Sequence, residues 1–371
     1  MAHAECGSVG ILQVHPTRFC NLACAHCYSS SSPSVRERLP AHAIVGAIED
    51  AAALGFGVVS LSGGEPLAYH DLGIVVDAAL SVGSRVSLVS NGLLIGSRQY
   101  EALAGKFHLV ALSLDGLEDR HNTIRRSTKA FAAVREAANT LRRSQQPFGI
   151  IHTLSSESLP EIEALAQLAA DWGASLLQLH PFEPAGRGAG LSGVSGLSGL
   201  SGMTALSSDD RLDAYLLAAL LQARFPELRV QLDLVHRDVA RYLPAALHGA
   251  SPREPLTPHE LVLQDDGRIV PLTFGLDPAW AVANLNEERL SAAWPSFLDT
   301  TWPQLRRRLR TACIATARGH HGDIVAWHAL VRQYAQTPAR APLFNLSRSL
   351  SQGTTWNPTM RVPAADVNSR T

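Results

Sequence analysis

Residues 15–32 read "HPTRFCNLACAHCYSSSS", a stretch that holds three of the chain's five cysteines, Cys20, Cys24 and Cys27, within eight residues. It follows Ile11–His15, a run with the β-branched and leucine content of a strand, so the cysteines fall on a loop at a strand's C-terminal end. Thiolates at C-x3-C-x2-C spacing select zinc, copper(I) or an iron–sulfur cluster. A closed zinc site needs four ligands, and His26 is the available fourth. His26 stands between two of the cysteines, where a short loop would have to turn it inward together with both neighbours. Three cysteines on a [4Fe–4S] cubane instead leave one iron without a protein ligand, open to a further group.

Outward from this loop, six short strand-like runs alternate with five longer, alanine-rich helical patterns. The runs are Ile11–His15, Val58–Ser62, Arg85–Ser90, Leu109–Leu114, Gly149–Leu154 and Leu176–Pro181. Between them lie Ala41–Leu54, Leu72–Val82, Ser97–Ala104, Ala130–Ser144 and Leu159–Asp171, with apolar residues at three- and four-residue spacing. This alternation predicts an α/β fold with parallel strands, as a partial (β/α)6 barrel or an open doubly wound sheet. Either architecture puts a site at the C-terminal ends of the strands. Residues 1–9 form an N-terminal tail and 10–187 the core. Residues 188–206, where Ser-Gly recurs from Ser192 to Gly202, are expected to be a solvated connector, with a lid as the alternative. Residues 207–335 form a small α+β extension: a helix over Asp209–Phe225, a strand in "LRVQLDLVH" and two strands around "DDG" within Leu261–Phe274. Residues 336–371, rich in proline and arginine, are expected to be poorly ordered.

At 371 residues and 46% hydrophobic content the chain can fill a sizeable core, and a net charge of −1 creates no global field to draw in nucleic acid or an acidic membrane. No window approaches the ~18 uninterrupted apolar residues of a membrane span, and the first residues lack a basic-then-apolar signal. A soluble, cytoplasmic protein that binds neither nucleic acid nor membrane is the expectation. An odd number of cysteines, three of them clustered, fits a reducing compartment with thiolates free for metal.

"CNLACAHCY" resembles the signature of radical S-adenosylmethionine (SAM) enzymes, in which an aromatic residue follows the third cysteine. Four further stretches match in order: "LSGGEPL" after the second strand, "VSNGLLI" after the third, "LSLDGLEDRHNTIRR" after the fourth and "LLQLHPFEPAGRG" at the sixth. The resemblance implies one [4Fe–4S] cluster on Cys20, Cys24 and Cys27, with SAM chelating the open iron through its amino and carboxylate groups. By the same resemblance, Gly63, Gly64 and Glu65 hold the SAM amino group. Asn91 suits the ribose or carboxylate, Ser113 and Arg125 the carboxylate, and Tyr28 lies beside adenine, mostly through its backbone. Reductive cleavage would then give methionine and a 5′-deoxyadenosyl radical for modification of a peptide or secondary metabolite. A flavodoxin or ferredoxin would donate the electron.

The stretch from "PHELVLQDDGRIVPLTF" onward is similar to the start of the SPASM extension of peptide-modifying members. Where those place a ligand for an auxiliary cluster, this chain has Pro271, Leu272 and Thr273, and Cys313 is the one cysteine further on. Lack of a second redox centre leans the chemistry toward hydrogen-atom exchange, epimerisation, rearrangement or coupling. Asp115, His180 and Glu183 are acid–base candidates at the barrel mouth. The rival from another class is a non-catalytic metal protein, with Cys20, Cys24, Cys27 and His26 holding zinc or a sensing cluster.

Overall fold

Six parallel strands lie side by side in chain order: β1 (Gly10–Val14), β2 (Phe56–Leu61), β3 (Arg85–Ser90), β4 (Leu109–Ser113), β5 (Phe148–Leu154) and β6 (Leu176–Pro181). The computed structural model describes residues 10–191, 202–240 and 257–336. Parallel neighbours cannot be joined by tight turns, so each connection is a crossover containing helix: α1 (Ala41–Ala53), α2 (Leu72–Ser81), α3 (Arg98–Glu101), α4 (Glu118–Arg125), α5 (Ala130–Arg143) and α6 (Ile162–Trp172). Because all six strands run one way, their C-terminal ends form a single rim. Leu12, Leu61, Leu88, Leu112 and Ile150 on the strands are fully buried in one core with Ile44, Val75, Val134 and Leu165 on the helices. Burial of each such side chain contributes about 1.5–3 kcal/mol.

The sheet is an open, partial barrel whose two edges are extended by the C-terminal region. β7 (Arg229–Leu232) pairs with β6, and β9 (Glu260–Leu263) pairs with β1, both parallel. β10 (Arg268–Pro271) and β11 (Ala283–Asn284) follow antiparallel beyond β9. A separate pair, β8 (Val235–His236) with β12 (Ile324–Val325), anchors the chain just before the helix Trp327–Gln336. That pairing ties a sequence-distant helix to the segment that follows β7.

Several elements differ from the sequence reading. α4 lies in a stretch whose polarity hid it: its buried positions are Arg120, His121, Ile124 and Arg125, so charged groups stand where apolar periodicity is sought. The pattern over Ser97–Ala104 shrinks to α3, hemmed in by Gly96 and Gly105, both at positive φ. "LRVQLDLVH" is split at Asp233 into β7 and β8, which belong to different sheets. Most of the Ser-Gly repeat, the N-terminal tail and residues 337–371 lie outside the described residues; beside the repeat, Met203 is buried with Ile124 and Phe182.

Candidate active site at the C-terminal rim

The rim opens into a cavity of about 1080 Å³. Cys20, Cys24 and Cys27 line it from the loop after β1, and Tyr28, Gly63, Gly64, Asn91, Ser113 and Arg125 line it from that loop, from the ends of β2, β3 and β4, and from the C-terminus of α4. Of the acid–base, SAM and metal residues singled out in the sequence, all reach the wall except Glu65 and Asp115.

The cysteine loop is shaped by backbone contacts from other strand ends. Gly64 N–H donates to Thr17 O and Glu65 N–H to Phe19 O, each at 2.9 Å. Gly63 adopts φ 103°, the left-handed side that favours glycine, and a Cβ on Gly64 would fall 2.1 Å from Phe19 O. The two glycines let the β2 rim close on the loop. Arg187, in the "PAGRG" run after β6, ties the other side: Nε donates to Cys24 O at 2.9 Å, Nη2 to Ser31 O at 2.6 Å, and its backbone N–H to Cys27 O at 3.0 Å. Sequence reasoning quoted that run but did not assign the arginine a role.

Each sulfur has a polar neighbour. Asn91 Nδ2 lies 3.7 Å from Cys20 Sγ, Arg125 Nη1 lies 3.7 Å from Cys24 Sγ, and Ser29 Oγ lies 3.4 Å from Cys27 Sγ. Burial pushes the Cys20 thiol up to about 12 and raises Cys24 as well, so thiolates here call for a cationic partner. The three sulfurs and His26 do not meet within 4.8 Å of one another; among the described residues only His180, Glu183 and His328 gather so closely. One zinc, with Zn–S near ~2.3 Å, would need that tighter convergence. His26 Nε2 stands 3.3 Å from Asp115 Oδ2, and Nδ1 is buried without a hydrogen-bond partner. The donor set fits a larger, multinuclear group better than one ion.

Glu65 sits behind the wall, 1% exposed. It accepts from Ser90 Oγ at 3.0 Å, Asn91 N–H at 2.9 Å and Leu67 N–H at 3.2 Å, which fixes the β3 end that carries Asn91. Burial raises its carboxyl to about 7 despite those donors. Asp115 is likewise buried, accepting from Arg125 Nε at 2.6 Å and Thr153 N–H at 3.2 Å. Burial alone would raise its carboxyl, but Arg125 and the imidazoles of His26 and His121 outweigh this and hold it well below the usual range. Asp115 therefore serves as an anionic anchor for Arg125 rather than as a proton carrier.

The remaining wall comes from the sheet extensions. His180 Nδ1 lies 2.9 Å from Asp233 Oδ2, next to His328, and Glu183 pairs with Arg332. Arg332 Nη1 also donates to Thr273 Oγ1 at 3.0 Å, at the place where an auxiliary-cluster cysteine was looked for. Phe274 stacks on His15 at 4.6 Å and meets Tyr28 edge-on at 5.0 Å, forming an aromatic corner. Asp233, Phe274, His328 and Arg332 were missed in the sequence; the one signal for Asp233 was its position after β7, at a strand's C-terminal end.

Residues 14–169 match the model of the Radical SAM superfamily. This stretch is a radical SAM domain. A domain of this family implies SAM and a [4Fe–4S] cluster. The chain is 33% identical over 175 residues to the AdoMet-dependent heme synthase of Methanosarcina barkeri, covering 46% of this chain and 50% of that protein. It is 30% identical over 175 residues to the mycofactocin maturase MftC of Mycolicibacterium smegmatis, covering 47% and 44%. The matched stretch thus spans half or less of these relatives. The fold is also that of SuiB of Streptococcus suis bound to SAM, with TM-score 0.60 at 18% identity over 80% of this chain and 67% of that one. Among the described residues no helix is long and apolar enough to cross a membrane.

Proposed function

We propose that this chain is an enzyme that cleaves SAM reductively at one [4Fe–4S] cluster held by Cys20, Cys24 and Cys27, and modifies a peptide or a small secondary metabolite. One observation carries the reading. Asn91, just after β3, and Arg125, the last residue of α4, each lay an N–H donor 3.7 Å from a cysteine sulfur while facing the same cavity. Residues that hold a ligand seated against the thiol loop need that placement.

When bound, the cluster and SAM supply one-electron scission of the sulfonium C5′–S bond and a 5′-deoxyadenosyl radical able to take hydrogen from an unactivated C–H bond. The chain's residues bind and orient. Gly63 and Gly64 allow the methionine amino group close to the backbone, and Arg125, held charged by Asp115, pairs with the carboxylate alongside Ser113. Asn91 takes the ribose or carboxylate, its backbone fixed by Glu65. The Tyr28 backbone would lie beside adenine, next to the aromatic corner of Tyr28, His15 and Phe274. N–H contacts to the sulfurs tune the potential at which an external flavodoxin or ferredoxin delivers its electron.

At about 1080 Å³ the cavity exceeds the ~300–1,000 Å³ of a pocket for one small ligand, which supports room for SAM and a second reactant. The SPASM-like hairpin β9–β10 supports a peptide as that reactant; the heme synthase among the relatives supports a small metabolite. The rival, a non-catalytic zinc protein, is disfavoured by the spread of the four candidate ligands. Metal analysis after anaerobic reconstitution with iron and sulfide separates them: about four irons per chain are expected on a cubane. One zinc held by the cysteine loop, with iron excluded, would contradict the proposal.

A further inference from the structure

We propose that His180, Glu183 and His328 form a second metal site, separate from the cysteine loop, for one divalent first-row transition ion of the zinc class. One ligand atom from each residue lies within 4.8 Å of the other two, and all three residues line the cavity. Small side-chain movements bring two imidazole nitrogens and a carboxylate oxygen to the ~2.0–2.2 Å that such an ion takes.

The fold builds this convergence from three places. His180 is near the end of β6 and Glu183 follows it directly, while His328 enters at the start of the helix Trp327–Gln336, set by the β8–β12 pairing. The second supporting observation is Asp233. Its Oδ2 lies 2.9 Å from His180 Nδ1, which fixes the ring and leaves Nε2 as the available donor, the carboxylate–histidine arrangement found behind metal ligands. Gln178 and Gln231 donate to Asp233 at 2.8 and 3.1 Å and hold that carboxylate in turn.

Arg332 pairs with Glu183 through Oε2, which leaves Oε1 to face an ion. That ion pair accounts for Glu183 and Asp233 for the orientation of His180, but neither accounts for the His328 imidazole, whose centroid lies 5.8 Å from that of His180. Three protein ligands leave coordination positions open toward the cavity, so the ion would take an oxygen or nitrogen donor of the substrate, such as a carboxylate or amide. No electron transfer is required of it. The inference does not depend on SAM cleavage.

The test uses the full chain, reconstituted anaerobically, dialysed against zinc and assayed for iron and zinc together. The expected result is one zinc per chain in addition to about four irons. His180→Ala and His328→Ala should each lose the zinc while keeping iron and far-UV circular dichroism. Asp233→Asn should weaken zinc binding about 10–100-fold. Cys24→Ala should lose iron and keep zinc. If His180→Ala does not fold, His328→Ala carries the reading. Absence of zinc from the wild-type chain, zinc retained by a folded His328→Ala chain, or zinc lost from a folded Cys24→Ala chain each overturns the proposal.

Discussion

Arg125 Nε stands 2.6 Å from Asp115 Oδ2, an ion pair inside the protein that aims the same guanidinium at Cys24. The carboxylate is fully buried, so removing the cation leaves a charge with no solvent to compensate it. Arg125→Met should cost about 3–5 kcal/mol in urea unfolding, more than the loss of a surface charge. Arg125→Met combined with Asp115→Asn should recover part of that loss. Strict additivity in the double-mutant cycle would show that the pair does not couple.

Gly64 and Gly73 make a matched comparison. A methyl at Gly64 meets Phe19 O at 2.1 Å, whereas one at Gly73, inside α2, meets nothing within 4 Å. Gly73→Ala should stabilise by about 0.5–1 kcal/mol, as expected for glycine replaced within a helix. Gly64→Ala should destabilise by about 1–3 kcal/mol and lower iron loading, because the carbonyl in its way belongs to the cysteine loop. Equal melting temperatures for the two variants would contradict this account of the rim.

Arg187 holds the cysteine loop through the carbonyls of Cys24 and Ser31. Hydrogen bonds from a charged donor contribute about 1.5–3 kcal/mol each. Arg187→Ala should bind iron but release it to a chelator several-fold faster, with circular dichroism unchanged. An unchanged release rate would mean that the loop is held by other contacts.

Glu260 lies on β9 facing the cavity, where burial first and the nearby Asp233 second raise its carboxyl to about 7. The native chain then holds this proton more tightly than the unfolded chain, whose value is about 4.3. Stability from this group is therefore present at low pH and lost as pH rises from about 4.3 to 7. Wild-type stability minus that of Glu260→Gln should fall across this window and level off above it. Parallel pH profiles would rule out the raised value.

The six strands were legible because each is a short apolar run between turn residues, and five motif stretches fall at or near their C-terminal ends in order. Asn91, Ser113 and Arg125 gained meaning from that order alone, since each also suits a cap or a surface. α4 was not legible because its buried face sets only Ile124 among Arg120, His121 and Arg125, polar side chains held by partners such as Glu161 and Asp115 rather than by an apolar core. The His328 and Arg332 wall was hidden for another reason. The pairing of two-residue strands, β8 and β12, and contacts such as Arg332 with Thr273 bring these residues to β6, and no local pattern announces contacts so distant in sequence. Glu65, which the resemblance assigns to the SAM amino group, fixes the backbone of Asn91 through its carboxylate, a contact the motif alone did not announce.

The central claim is that the thiol loop and the rim residues around it cleave SAM. The most direct measurement is 5′-deoxyadenosine formed from SAM by the anaerobically reconstituted, dithionite-reduced chain, with Cys24→Ala beside it. The wild-type chain should form 5′-deoxyadenosine and methionine in equal amounts, and the variant should form neither. A wild-type chain that carries its iron and binds SAM without cleaving it, or a Cys24→Ala chain that still cleaves it, would contradict the account.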